Sequence, residues 1–171
     1  LLETILAKVP PVKNDITLPF SFQPFNLAYD NYLGRLGIGR VYDGAIKTGA
    51  KVFIKKHSGE IISSTITKLF TFEGMTRKEV TEVFAGDIVM IAGLSEIYIG
   101  DTVCVDQNQE LLPAIKVDEP TISLNFLVNN SPFAGKEGKY VTSRQIKERL
   151  EKELEVNVGL KIDFTPIEYF K

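Results

Sequence analysis

Cysteine occurs once in this chain, at Cys104, so no disulfide can form within it. A lone thiol suits a reducing compartment such as the cytoplasm. Tryptophan is absent, and His57 is the only histidine. One imidazole and one thiol leave no ligand set for a zinc site of the nitrogen–sulfur kind. No apolar run approaches the roughly 18 residues that a membrane-spanning helix needs. The opening Leu1-Leu2-Glu3-Thr4-Ile5-Leu6 has no basic region and no small-residue cleavage site, so it does not read as a signal peptide. Neither charge dominates: 20 Lys and Arg against 22 Asp and Glu leave a net charge of −2. That excludes a generally basic nucleic-acid coat and leaves room for a local basic patch. An initiator methionine is also missing, and the chain opens inside an apolar periodic segment. The expectation is a piece of a longer protein.

What is present is ordinary globular material: 171 residues, 44% apolar and 25% charged, enough for one domain or two small ones. Leu2, Ile5, Leu6 and Val9 fall at helical spacing until Pro10-Pro11 removes a donor and stops the helix. From residue 20 to about 105 the pattern changes to short β runs, at 20–29, 33–42, 51–56, 61–72, 88–92 and 102–105. Turn residues punctuate them, including Asp43-Gly44, Ser58-Gly59, Glu73-Gly74 and Gly86-Asp87. Many short strands joined in this way predict a closed antiparallel barrel, which removes exposed sheet edges. Gly34, Gly37 and Gly39 within one run predict bulges or a sharp corner.

After Pro113 the pattern changes again. Residues 121–128 read as a strand. Thr142 with Gln145 reads as a capping box, and Ile146, Leu150 and Leu154 mark a buried helical stripe. Residues 160–164 read as a second strand. The fold class is therefore mainly β: an antiparallel barrel followed by a partial α/β unit of strand–helix–strand order, with a right-handed crossover if the strands are parallel.

No catalytic set emerges. Residues 44–51 give glycines at the P-loop spacing, but Ala50 stands where the P-loop lysine belongs. The segment also lies between strands, so it reads as a turn. The glycines at 34–39 open no helix and are no dinucleotide fingerprint. His57 reads as a hairpin-tip residue, Cys104 as a core thiol, and Asp87 and Asp101 as turn-stabilising carboxylates. The candidate binding residues are basic. Lys136, Lys139 and Arg144 lie in a glycine-bearing loop that runs into a helix N-terminus, where backbone N–H groups favour anions. Arg35, Arg40, Lys47 and Lys51 form a second set on the barrel. The alternative for each is a solvated surface cation.

The segment Asn129-Asn130-Ser131-Pro132-Phe133-Ala134-Gly135-Lys136-Glu137-Gly138-Lys139-Tyr140-Val141-Thr142-Ser143-Arg144 closely resembles one that opens the third domain of the BipA/TypA translational GTPases. Tyr29-Asp30-Asn31-Tyr32-Leu33-Gly34, Gly37-Ile38-Gly39-Arg40-Val41, Ala85-Gly86-Asp87-Ile88-Val89 and Ile99-Gly100-Asp101-Thr102-Val103-Cys104 resemble that family in order. The resemblance covers essentially the whole chain. It implies that residues 1–11 close an upstream GTPase domain, that 12–116 form a translation-factor-type barrel, and that 117–171 begin a ferredoxin-like domain of the kind seen in elongation factor G. It implies a cytoplasmic parent that binds GTP or GDP with Mg²⁺ and hydrolyses GTP. The parent's partner would be the ribosome, its RNA and proteins, with a role in ribosome assembly or in translation under stress and cold. This chain would supply docking and domain coupling beside its own upstream GTPase domain, away from any membrane. No residue here matches the nucleotide motifs, so no catalytic or cofactor-binding residue carries over. A stand-alone RNA- or protein-binding barrel is the competing reading, and an autonomous enzyme has no supporting residue set.

Overall fold

The computed structural model describes residues 1–9, 15–129, 131–133, 136, 142–165 and 169–170. It opens with a short helix, α1 (Leu2–Lys8), whose apolar residues all face solvent. The barrel strands follow: β1 (Ser21–Asp30), β2 (Gly34–Asp43), β3 (Ala45–Lys47), β4 (Lys51–Lys55), β5 (Ile61–Thr65), β6 (Lys68–Glu73), β7 (Thr76–Val80), β8 (Glu82–Phe84), β9 (Ile88–Ala92) and β10 (Thr102–Cys104). Eight of them form one sheet in the order β5-β4-β10-β1-β2-β9-β6-β7, and β3 pairs with β8 in a small ribbon. Every ladder is antiparallel.

The barrel closes where β5 runs into β6. Ile66 accepts from Gly49 N–H at 2.8 Å and donates to the Ala50 carbonyl at 3.0 Å, while Thr67 donates to the Ala92 carbonyl at 2.9 Å. One residue thus binds the β3–β4 turn and the next binds β9. Sequence periodicity predicts a single strand over 61–72; the corner divides it, with Ile66 fully buried at the bend. Gly93 permits this approach, since a Cβ there would stand 2.2 Å from the Thr65 carbonyl oxygen. Strands β3, β7 and β8 are additional to the predicted runs. β7 is Thr-Arg-Lys-Glu-Val and exposed along most of its length, so it carries no apolar alternation to be read.

Two register shifts interrupt the β1–β2 ladder: Tyr42 of β2 is the extra residue opposite Ser21–Phe22, and Phe25 of β1 is the extra residue opposite Ile38–Gly39. The glycines lie opposite, on β2. Gly39 faces Pro24, and a Cβ at Gly39 would stand 2.1 Å from the Gln23 carbonyl oxygen. Glycine therefore answers a bulge in the partner strand rather than forming one in its own. The turn aspartates behave as expected. Asp87 accepts from Phe84 N–H at 2.9 Å, and Asp101 accepts from Tyr98 N–H at 2.8 Å. Burial pushes the Asp101 carboxyl above its ordinary pKa. The Cys104 thiol is buried, is likewise pushed up by burial, and donates to the Asp106 carbonyl at 3.1 Å.

Phe20, Phe22, Ile54, Ile66, Leu69 and Ile97 are among the largest core side chains. Burying each contributes about 1.5–3 kcal/mol. Beyond β10 a strap is held on the barrel's outside. Gln23 Nε2, itself buried, donates to the Gly100 and Pro113 carbonyls at 3.0 and 2.8 Å, and Leu112 N–H donates to Thr102 Oγ1 at 3.0 Å.

The C-terminal unit contains β11 (Phe126–Leu127), α2 (Ser143–Leu154) and β12 (Tyr169–Phe170). β11 and β12 pair antiparallel; β12 is not the strand expected at 160–164. The strand expected over 121–128 is reduced to β11, and the strand expected over 160–164 is not formed. Among the described residues, 121–125 and 160–165 belong to no strand. Their apolar residues instead line an open cleft of about 620 Å³ with Ile122, Leu124, Phe126, Leu150, Leu160 and Ile162 on its walls. The helical stripe of Ile146, Leu150 and Leu154 faces as predicted, but each residue is half-buried and none is buried.

Candidate functional site

The basic residues of the barrel do not converge. Arg35 shares the inward phase of Gly37, Gly39 and Val41 along β2, so its side chain leaves the barrel at the rim. There its Nη1 donates to the Ile97 carbonyl at 3.4 Å, and the guanidinium lies 5.4 Å from the Tyr98 ring centroid. Its Nε and Nη2 both donate to Glu155 Oε2, at 3.1 and 2.5 Å. With 17% of its side chain exposed, Arg35 is largely occupied by the protein itself.

Arg40 has the opposite phase and lies on the outer face of β2, paired across the ladder with Ile88. Its guanidinium stands 5.1 Å from the ring centroid of Tyr42, which is two residues on and therefore on the same face. Ile88 beside it is 54% exposed.

Lys47 and Lys51 flank the turn between β3 and β4. Ala50 N–H donates to the Lys47 carbonyl at 3.2 Å, and Gly49 has a φ of +85°, a conformation that favours glycine. The segment read as a turn is thus strand, turn and strand. Lys47 Nζ lies 3.7 Å from Glu82 across the β3–β8 ribbon and remains mostly exposed. Lys51 is exposed and forms no salt bridge among the described residues.

In the C-terminal unit, Lys136 N–H donates to the Phe133 carbonyl at 3.3 Å, and Lys136 Nζ lies 4.7 Å from the Phe133 ring centroid. Lys139 lies outside the described residues. Arg144 is exposed in the first turn of α2, where no acidic residue is present. The predicted capping box is formed. Thr142 Oγ1 accepts from Gln145 N–H at 3.4 Å, and Gln145 Oε1 accepts from Thr142 N–H at 3.2 Å. Farther along α2 the cations are matched: Lys147 with Glu151, Arg149 with Glu153 and Lys152 with Glu148, at 3.7, 2.6 and 3.0 Å. Within α2, therefore, the helix body is charge-balanced and its first turn is cationic. Such a surface offers point charges, a guanidinium fork and a cation-capped ring to an anion.

Sequence reasoning missed Tyr42, Phe133 and Glu155. The first two had a local signal in their spacing of two from Arg40 and three from Lys136. Glu155 had none, since it lies 120 residues from Arg35.

A sequence model of elongation factor Tu domain 2 matches residues 34–104, which run from β2 to β10. The large ribosomal subunit assembly factor BipA of Bacillus subtilis is 46% identical over 165 residues, covering 96% of this chain and 27% of that protein. The protein of the same name from Synechocystis is 47% identical over 163 residues, covering 95% of this chain and 27% of its own length. That from Haemophilus influenzae is 47% identical over 166 residues, covering 97% and 27%. The chain belongs to the BipA/TypA family. It spans about a quarter of the length of these relatives, 27% in each case.

Membership of the BipA/TypA family raises the question of guanine nucleotide and Mg²⁺. The described residues do not fit them. The glycine-bearing segment at 44–51 is strand–turn–strand and opens no helix, so it lacks the N–H cradle and the lysine of a phosphate loop. Among the described residues no three of His, Cys, Asp or Glu come together as metal ligands. Nor is any described helix long and apolar enough to cross a membrane.

Proposed function

We propose that this chain is the ribosome-docking and domain-coupling part of a BipA-like translational GTPase of the cytoplasm, acting in assembly of the large ribosomal subunit or in translation under stress. Residues 1–11 would end the upstream GTPase domain, 12–116 form the second domain and 117–171 begin the third. GTP hydrolysis, with GTP or GDP and Mg²⁺, would reside upstream. The observation that carries this reading is the near-complete coverage of the chain by relatives named as ribosomal subunit assembly factors. Its described residues supply surface cations and no nucleotide site. The RNA-facing candidates are Arg40, Lys47, Lys51, Lys136, Lys139 and Arg144, with Arg35 committed within the fold.

The test uses the full-length parent carrying Lys136→Ala and Arg144→Ala together. Binding to large-subunit particles is measured across a salt titration. If both side chains contact phosphates, affinity falls and the slope of log affinity against log salt drops by about 2. Unchanged affinity and slope would remove this loop and helix from the interface. An upstream reading frame without a Gly-x4-Gly-Lys-Ser/Thr motif would favour the stand-alone barrel instead.

A further inference from the structure

We propose that the barrel rim built from Arg35, Ile97 and Tyr98 is the docking surface for the chain's own C-terminal unit, with Arg35 and Glu155 as the latch that sets its seating. Two groups of the rim hold the guanidinium besides Glu155. The Ile97 carbonyl accepts from Nη1, and the Tyr98 ring lies 5.4 Å from the guanidinium carbon. That leaves Nε and Nη2 pointing outward, and both bind the same carboxylate oxygen at 3.1 and 2.5 Å. A planar fork held in this way loses little freedom on binding a carboxylate, unlike a lysine. Val158 adds an apolar contact by packing against the barrel core.

The position of Glu155 supports the assignment. It is the C-cap of α2. The C-terminal end of a helix carries partial negative charge and favours cations, so a carboxylate there is unfavourable unless something offsets it. Within α2 the other carboxylates of the helix body, Glu148, Glu151 and Glu153, each pair with a cation of the same helix. Glu155 instead pairs across 120 residues with the barrel. Its side chain keeps 41% of its exposure, so the pair is reversible and sensitive to salt rather than sealed in the core.

The test measures distance between nitroxide labels at Thr76→Cys, on exposed β7, and Lys152→Cys, on exposed α2, with buried Cys104 left in place. Electron–electron double resonance reads the width of the distance distribution. Glu155→Arg and Arg35→Glu, each alone, are expected to raise the unlatched population by about tenfold and broaden the distribution, as close coupled pairs do. The double variant, with the charges exchanged, is expected to restore the narrow distribution. Arg35→Lys keeps the charge, loses the fork and is expected to fall between. Glu155→Gln, at an exposed helix end, covers the case in which Arg35→Glu disturbs the rim itself. Unchanged widths in both Glu155 variants would overturn the latch. So would broadening that the charge exchange fails to reverse, because packing alone would then hold the units.

Discussion

The barrel and the C-terminal unit are built from similar apolar material and end with different interiors. Every hydrophobic residue buried among the described residues lies between Phe20 and Cys104. In the barrel, alternating side chains enter a sheet that closes on itself, so each inward residue meets others from several strands. In the C-terminal unit a periodic helix and alternating segments are also present, yet Leu150, Leu160 and Ile162 only line an open cleft. Ile122, Leu124 and Phe133 are more than half exposed, at 78%, 64% and 68%. The difference teaches that periodicity orients a side chain, whereas burial requires a second surface to close over it. At the barrel rim Arg35 is held by the Ile97 carbonyl and Glu155, while Lys136 and Arg144 sit at the surface.

The comparison can be broken most sharply at Phe22, which is fully buried. Phe22→Ala is expected to cost about 3–5 kcal/mol, read as a large drop in the urea midpoint of the barrel transition. A shift under about 1 kcal/mol would mean that the barrel core is as open as the cleft. Leu150→Ala comes next. A fully buried leucine loses about 2–5 kcal/mol on truncation, and half-buried Leu150 is expected to lose about 1–2 kcal/mol. A loss in the fully buried range would show the cleft closed in solution. The smallest effect is at Asp101. Its carboxyl is raised above the ordinary value by burial, so the folded barrel holds its proton more tightly than the unfolded chain. The stability this linkage contributes is therefore fully present below the unfolded pKa and is lost as pH rises through the folded value. Asp101→Asn keeps an acceptor for Tyr98 N–H and is expected to flatten that decline just above the usual carboxylate range. Identical pH profiles of wild type and variant, measured by thermal melting, would contradict the assignment.

Much of the barrel was legible because its signals are local. Runs at 88–92 and 102–105 match β9 and β10 to within one residue, and the capping box at Thr142 forms as its spacing requires. β7 was illegible because its mostly exposed residues follow no inside–outside pattern. For the candidate site, residue type placed the cations, but only Arg40–Tyr42 and Phe133–Lys136 had partners within local reach.

By itself, the sequence determined the strand grammar, the turns, the helix cap, the absence of a nucleotide motif and the family, because each depends on residues a few positions apart or on their order. Only the tertiary structure decided that Gly39 answers a bulge on β1, that Ile66 divides one apolar run into two strands, and that Arg35 spends its donors on Glu155. Those outcomes depend on groups brought together by closing the barrel and seating the C-terminal unit beside it. No spacing along the chain encodes such a contact directly, since its energy exists only once the distant surfaces meet.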